Sequence, residues 1–152
     1  MDEQPIDPQT ARLSALTGEL RVLLSRLARR LREQSQPGDI SWPQKSVILR
    51  LEREGPATVT ALARAEGVRP QSMGATIDTL EAAGLVSGTP DPADGRQTIL
   101  SLTTTCRQLI SARRAAKEDW LFRAIQTKLT PQEQDELASA TKLIKRLTGE
   151  EA

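Results

Sequence analysis

Apolar residues recur every three to four positions over most of the chain, which is the spacing of amphipathic helices. The first such stretch covers 9–34, where arginines occupy the surface that a leucine stripe leaves. The stripe consists of Leu13, Leu16, Leu20, Leu23, Leu24, Leu27 and Leu31. A helix of this length extends about 39 Å, so it spans the full width of a small globular protein. The stripe therefore either leaves some leucines exposed on a surface helix or is buried by another subunit.

Three more long helices are predicted, one before the middle of the chain and two after it. The segments 41–44 (SWPQ) and 130–133 (TPQE) are capping boxes, and each begins a helix. The first of these helices covers 42–54. Thr103 caps another helix, which continues to about Lys128. The predicted buried positions are Val47, Ile48 and Leu51 in the first helix, Leu109, Ile110, Ala116, Trp120, Leu121, Ala124 and Ile125 in the helix after Thr103, and Leu137, Ala140, Ile144 and Leu147 in the last.

The segment 55–86 contains two short helices joined by a tight turn. Thr58 is a predicted N-cap, and Gly67 ends the first helix because glycine enters the left-handed conformation without strain. Pro70 suits the first position of the second helix, where its missing N–H is not needed. Gly84 ends that helix. Two helices with so short a turn form a helix-turn-helix, whose second helix enters a DNA major groove.

The second of these helices has two unlike faces. Met73, Ile77 and Leu80 share an apolar face at helical spacing. The opposite face is small and mostly polar, and it consists of Gln71, Ser72, Ala75, Asp78 and Thr79. This pattern fits a recognition helix, although a helical hairpin in any α-helical protein could show it too.

A β-hairpin is predicted directly after the second helix, because the period of the pattern changes to two. Leu85 and Val86 form a short strand, and 98–102 alternates like a second strand. Residues 87–96 are rich in turn-forming types. A hairpin with a long tip after a recognition helix predicts a winged helix.

Arg96 is the only basic side chain of this hairpin. It could enter a minor groove, whose negative potential attracts arginine. Alternatively, it could form a salt bridge with Asp91 or Asp94.

The composition excludes most other function classes. The chain has no histidine, no tyrosine and one cysteine, so it lacks the usual base for a nucleophile and has no internal disulfide. We therefore expect no catalytic residues, no metal site and no cofactor. No apolar run approaches the roughly 18 residues of a membrane span. Residues 1–9 do not resemble a signal peptide, which predicts a cytoplasmic protein without a membrane partner.

These motifs, in this order, resemble the MarR (multiple antibiotic resistance regulator) family of winged-helix transcription regulators. The resemblance covers roughly 9–147. The residues that carry it are 41–44, Leu49, Leu51, 55–59, Leu62, Ala63, 68–72, 77–81, 84–86, 91–94, Arg96, Leu102 and Thr103.

The resemblance implies a homodimer in which the terminal helices interlock and two winged helices bind a palindromic operator. It also implies a cleft for a small-molecule effector, which Trp42 and the arginine-rich first helix could line. Three positions depart from the family pattern. Gly95 replaces the first of two basic residues at the wing tip, Gly88 replaces a basic residue, and Cys106 stands where glycine is common. We interpret Cys106 as a packing residue rather than an oxidant sensor.

The resulting prediction is a mainly α protein with a small β-hairpin wing. A winged helix-turn-helix at 41–103 is combined with dimerisation helices at 9–34 and 104–148 in one structural domain, after a frayed segment at 1–8. The predicted function is a dimeric, ligand-responsive repressor that binds double-stranded DNA. The predicted DNA contacts are Pro70, Gln71, Ser72, Ala75, Thr76 and Arg96.

The alternative is a protein-interaction module with weak or lost DNA binding. Residues 41–105 contain six basic and seven acidic side chains, a net charge of −1, which is unusual for a surface that binds DNA.

Overall fold

The computed structural model of the protein describes residues 7–35 and 40–149. Its elements, in chain order, are α1 (Pro8–Gln34), α2 (Trp42–Glu54), β1 (Ala57–Thr58), α3 (Val59–Glu66), α4 (Pro70–Ala82), β2 (Val86–Pro90), β3 (Thr98–Leu102), α5 (Thr104–Lys128) and α6 (Pro131–Leu147). The mainly helical fold with a small antiparallel sheet is confirmed, as are the four long helices.

The first helix begins one residue earlier than the pattern predicts. Pro8 is its first residue rather than Gln9, because the Asp7 carboxylate accepts a hydrogen bond from the Thr10 N–H and thereby caps the helix. Pro8 therefore belongs to the helix and not to the predicted frayed segment, and residues 1–6 of that segment lie outside the described part of the chain.

The contacts divide the chain into two compact units. The winged-helix unit is Pro37–Arg114, and the helical unit combines Met1–Gln36 with Ala115–Ala152. The placement of both units in one structural domain stays a prediction.

The core lies in the winged-helix unit. The apolar faces of α2, α3 and α4 pack with the inner side of the sheet and the start of α5. The buried residues are Val47, Ile48, Leu51, Leu62, Ala63, Met73, Ile77, Leu80, Leu85, Val86, Leu100, Leu102 and Cys106. The faces predicted for α2 and α4 are therefore confirmed.

The wing belongs to a three-stranded antiparallel sheet in the order β1-β3-β2. The strand β1 is absent from the sequence prediction because two residues are too few to show an alternation. It exists because Ala57 and Thr58 pair with Leu100 and Ile99 of β3. The strand β2 also continues to Pro90, well beyond the predicted 85–86. Pro90 is tolerated there because β2 is an edge strand and the missing N–H interrupts no second ladder.

The helical unit has no buried residue in either α1 or α6. Five leucines of the predicted stripe are exposed, namely Leu13, Leu16, Leu23, Leu24 and Leu27. The buried faces predicted for α5 and α6 are observed only in part, since Leu109 and Ile110 of α5 are half-buried and pack against the core of the winged-helix unit. Ala116 is exposed, the other predicted positions of α5 are half-buried, and only Cys106 in α5 is buried. In α6, Leu137, Ile144 and Leu147 are exposed, because one chain does not cover this side of the helix.

Candidate nucleic-acid interface

The turn between α3 and α4 is determined by its caps. The Thr58 Oγ1 accepts a hydrogen bond from the Ala61 N–H at 3.2 Å, and this begins α3. Gly67 has φ of +66° and ends α3 in the left-handed conformation. The Val68 N–H donates to the Ala63 carbonyl at 3.0 Å, which completes a Schellman motif. Pro70 then begins α4 two residues later, so the helix-turn-helix prediction is confirmed.

The end of α4 is closed in the same way. Gly84 has φ of +72°, and its N–H donates to the Glu81 carbonyl at 2.9 Å. The Leu85 N–H donates to the Leu80 carbonyl at 3.0 Å. The chain therefore turns directly from the recognition helix into the wing, as a winged helix requires.

The two faces of α4 separate as predicted. Met73, Ile77 and Leu80 are buried, and each exposes at most 3% of its surface. Pro70, Gln71, Ser72 and Ala75 are exposed together on the outer side. Thr76 differs from these four, because it is half-buried and its hydroxyl donates to the Ser72 carbonyl at 3.3 Å. Whether these five residues contact DNA stays a prediction.

The wing tip is shaped by two aspartates. The Asp91 carboxylate accepts a hydrogen bond from the Ala93 N–H at 2.9 Å, and the Asp94 carboxylate accepts one from the Arg96 N–H at 3.1 Å. Both are Asx turns, in which an aspartate side chain bonds to the backbone two residues further on. Among the described residues, the exposed Arg96 guanidinium forms no ion pair, so the alternative of a salt bridge with Asp91 or Asp94 is not observed. The arginine is therefore free to meet a polyanion.

The two glycines that depart from the family pattern have different physical causes. A Cβ atom at Gly88 would lie 2.5 Å from the Thr98 Cγ2 and 3.2 Å from the Glu81 Oε1, so a side chain there would require Thr98 to move. Gly95 has no positive φ, and a Cβ atom there would meet nothing within 4 Å. Neither space nor backbone conformation therefore requires glycine at the wing tip.

A part-buried ion pair ties α3 to α2. The Arg50 Nε lies 2.6 Å from the Glu66 Oε1, and the Ser46 hydroxyl donates to the Glu66 Oε2 at 2.7 Å. These hydrogen bonds, the one from Arg50 first, lower the pKa of Glu66. The pair keeps the helix that precedes the turn in place.

Ion pairs also change the meaning of the negative charge count. Glu52 pairs with Arg114, and Glu54 and Glu66 both pair with Arg50. These three carboxylates lie on α2 and α3. Ion pairs thus account for three of the seven acidic side chains, while α4 itself carries Asp78 and Glu81 and no basic side chain.

Two further arginines lie near the start of α4 and are not among the predicted DNA contacts. Arg69 immediately precedes α4, and Arg64 lies on α3. Both are exposed, and within residues 7–35 and 40–149 neither forms an ion pair. A basic residue beside the start of a recognition helix is a signal that the sequence contains, because phosphate contacts commonly flank the base contacts of such a helix.

Cys106 is fully buried in the core, and burial raises the pKa of its thiol. A buried thiol with a raised pKa reacts slowly with oxidants, which supports the interpretation as a packing residue.

Trp42, which is predicted to line an effector cleft, is 76% exposed, with the Lys45 Nζ 6.0 Å from the centre of its ring. Within the described ranges, no helix combines the length and the apolarity that crossing a membrane requires.

Comparisons with known proteins agree with this geometry. The MarR family model matches residues 40–98. An HTH-type transcriptional regulator from Mycobacterium leprae, itself uncharacterised, is 37% identical over 135 residues, which cover 89% of this chain and 94% of the relative. A candidate transcriptional regulator from Pseudomonas aeruginosa is 33% identical, and its crystal structure matches with a TM-score of 0.73 over 93% of this chain and 97% of that one.

A mutant of Staphylococcus aureus MepR, solved bound to an oligodeoxyribonucleotide, shares the fold. Its TM-score is 0.68 at 19% identity, over 87% of this chain and 97% of that one. The family model and the M. leprae relative together establish the family of this chain. The chain belongs to the MarR family of DNA-binding, non-enzymatic transcriptional regulators with a winged helix-turn-helix.

Proposed function

We propose that the protein is a dimeric, ligand-responsive repressor that binds a palindromic operator in the cytoplasm. Its dimer forms through the helical unit. The observation that carries this step is the exposure of large apolar side chains on α1 and α6. Leu16 and Leu23 are 55% and 50% exposed, and Leu143 and Leu147 are 58% and 75% exposed. Exposed apolar side chains in this number mark an interaction site, and a second copy is the commonest partner.

The recognition helix α4 enters the major groove. Gln71 reads adenine through its amide, whereas Ser72 and Thr76 bind phosphate or a base edge. Pro70 and Ala75 are small enough to allow a close approach to the bases. Arg96 enters the adjacent minor groove from the wing tip, where its free guanidinium supports this role.

Two-fold symmetry of the dimer leads to a palindromic operator. Each copy presents one α4, so the two half-sites lie one helical turn of DNA, about 10 base pairs, or a multiple of it apart. An effector would release the operator by favouring one spacing of the two recognition helices. Family membership supports the repressor role and the effector.

Selection of operators from a random double-stranded DNA library tests the proposal. Enriched sequences should contain inverted half-sites at the expected spacing, and analytical ultracentrifugation should find one protein dimer on each. Enrichment of single, unpaired half-sites would contradict the dimer. A library without enrichment would contradict operator binding and would favour a protein-interaction module, although the family's DNA binding argues against that alternative.

A further inference from the structure

Gln44 links the start of α2 to the outer side of the recognition helix. It is the third residue of α2, and its Oε1 accepts a hydrogen bond from the Ser41 N–H at 2.8 Å. On its other side, its Nε2 donates to the Thr79 Oγ1 at 2.6 Å. Thr79 is exposed on α4, so a residue of the capping box also holds the helix that is proposed to enter DNA.

The hydrogen bonds that join Ser41, Gln44 and Thr79 each have a determined direction. A backbone N–H can only donate, so the oxygen of the Gln44 amide must face Ser41 and the NH₂ group must face Thr79. The Thr79 hydroxyl accepts from that group and donates its own proton to the Thr76 carbonyl at 2.6 Å. The links therefore polarise one another in one direction, which strengthens each of them.

The hydrogen bond from Gln44 adds a directional contact to the apolar packing of α4. Met73, Ile77 and Leu80 hold α4 by apolar packing, which has no preferred direction. A hydrogen bond does have a preferred direction. The hydrogen bond from Gln44 begins on a fixed helix, because Val47, Ile48 and Leu51 anchor α2 in the core. The bond from Gln44 therefore restricts the rotation of α4 about its axis.

We propose that Gln44 is a positioning residue for DNA recognition, acting through Thr79 to set the rotation of α4. The inference depends on the proposed entry of α4 into the major groove. Specific recognition requires side chains held to within about 0.5 Å and 10–20° of their working geometry. A small rotation of α4 would move Gln71 and Ser72 off their bases while leaving the phosphate contacts of neighbouring arginines nearly unchanged. Gln44 thus affects discrimination between sequences more than overall DNA affinity.

A double-mutant cycle on the full-length chain tests this. Gln44→Ala and Thr79→Val each remove the contact, and the double variant removes both partners. Affinities are measured by fluorescence anisotropy on the selected operator and on a scrambled duplex. Each single variant should lose about three- to tenfold on the operator, with little change on scrambled DNA. The double variant should lose no more than one of the singles.

Two controls separate positioning from stability. Ser41→Ala removes the other half of the same capping box and leaves the bond to Thr79 in place, so it should lower the melting temperature without changing discrimination. Thr79→Ser keeps the hydroxyl and should bind like wild type. Additive losses in the double variant, or unchanged discrimination in Gln44→Ala, would overturn the proposal.

Gln71→Ala in the same titrations distinguishes the two levels of inference. If Gln71→Ala loses discrimination while Gln44→Ala keeps it, only the positioning role is overturned. If both variants keep wild-type discrimination, the entry of this face of α4 into the groove is overturned as well.

Discussion

The two units of the molecule treat their apolar residues in opposite ways. In the winged-helix unit, the apolar faces of α2, α3 and α4 bury most of their large side chains within the same unit, and Leu62, Leu80 and Leu100 are each 1% exposed. In the helical unit, α1 and α6 carry equally regular stripes, yet they have no buried residue. Regular amphipathicity therefore predicts that a helix has an apolar face, whereas the surrounding structure decides whether one chain covers it.

The largest effect should come from removing the first helix. Deleting residues 1–34 removes the whole leucine stripe, so the chain should become a monomer or aggregate in analytical ultracentrifugation. Operator affinity should fall with the loss of the second DNA-binding site. A well-folded dimer of the shortened chain would show that α1 is not part of the interface.

A matched pair of leucines tests the comparison more finely. Leu62→Ala leaves a cavity in a packed core, and it should lower the free energy of unfolding by about 2–5 kcal/mol. Leu16 is 55% exposed in the single chain, so Leu16→Ala should instead raise the dimer dissociation constant.

Denaturant melts at several protein concentrations distinguish the two leucine effects, because only the loss of a dimer contact depends on concentration. Equal, concentration-independent losses in both variants would mean that α1 packs within its own chain.

The next effect concerns specificity within the winged-helix unit. Gln71→Ala should cost about 1–3 kcal/mol at one base pair per half-site and relax the sequence requirement there. Arg96→Ala should weaken operator and non-operator DNA about equally, because an arginine in the minor groove reads shape and charge. Anisotropy titrations with single-base operator variants measure both. Wild-type binding by both variants would show that another face meets DNA.

The open space at the wing tip allows a gain of charge. Gly95→Arg adds two cations per dimer, so log K against log salt should steepen by about 1.8 if both reach phosphate. A fourfold rise in salt should then remove about one additional decade of affinity. The variant should melt like wild type, because Gly95 has no positive φ and no close neighbour.

Gly88→Arg is the control for this charge, because a side chain there meets Thr98 and should lower the melting temperature. An unchanged salt slope for a stable Gly95→Arg dimer would show that the wing tip does not reach phosphate.

The smallest expected effect is on the acid dependence of stability, and it compares one ion pair from each unit. The pKa of Glu66 is held below its ordinary value of 4.5, so its contribution to stability is present above that value and is lost as the pH falls below it. Exposed pairs such as Arg123 with Asp119 in the helical unit should contribute little. Glu66→Gln should therefore reduce the acid dependence of the melting temperature, and Asp119→Asn should not. The same acid dependence in both variants would contradict this difference.

Local signals in the sequence specify the long helices and the helix-turn-helix, because caps and stop signals act over a few neighbouring residues. The Ser41 and Thr130 capping boxes and the left-handed glycines Gly67 and Gly84 occur where the sequence predicts them. The exposed face of α4 follows from helical periodicity alone, and that periodicity is sufficient to place Gln71 and Ser72 on it.

Contacts between distant residues decided the rest. The strand β1 exists only through its pairing with β3, and β2 is longer than its turn-rich composition suggests because β3 extends beside it. A side chain at position 88 would displace Thr98, whereas one at position 95 would meet nothing within 4 Å, a difference that only the neighbouring side chains reveal. The bond from Gln44 to Thr79 joins residues 35 positions apart. No local pattern encodes such a separation, because the fold alone brings these two side chains together.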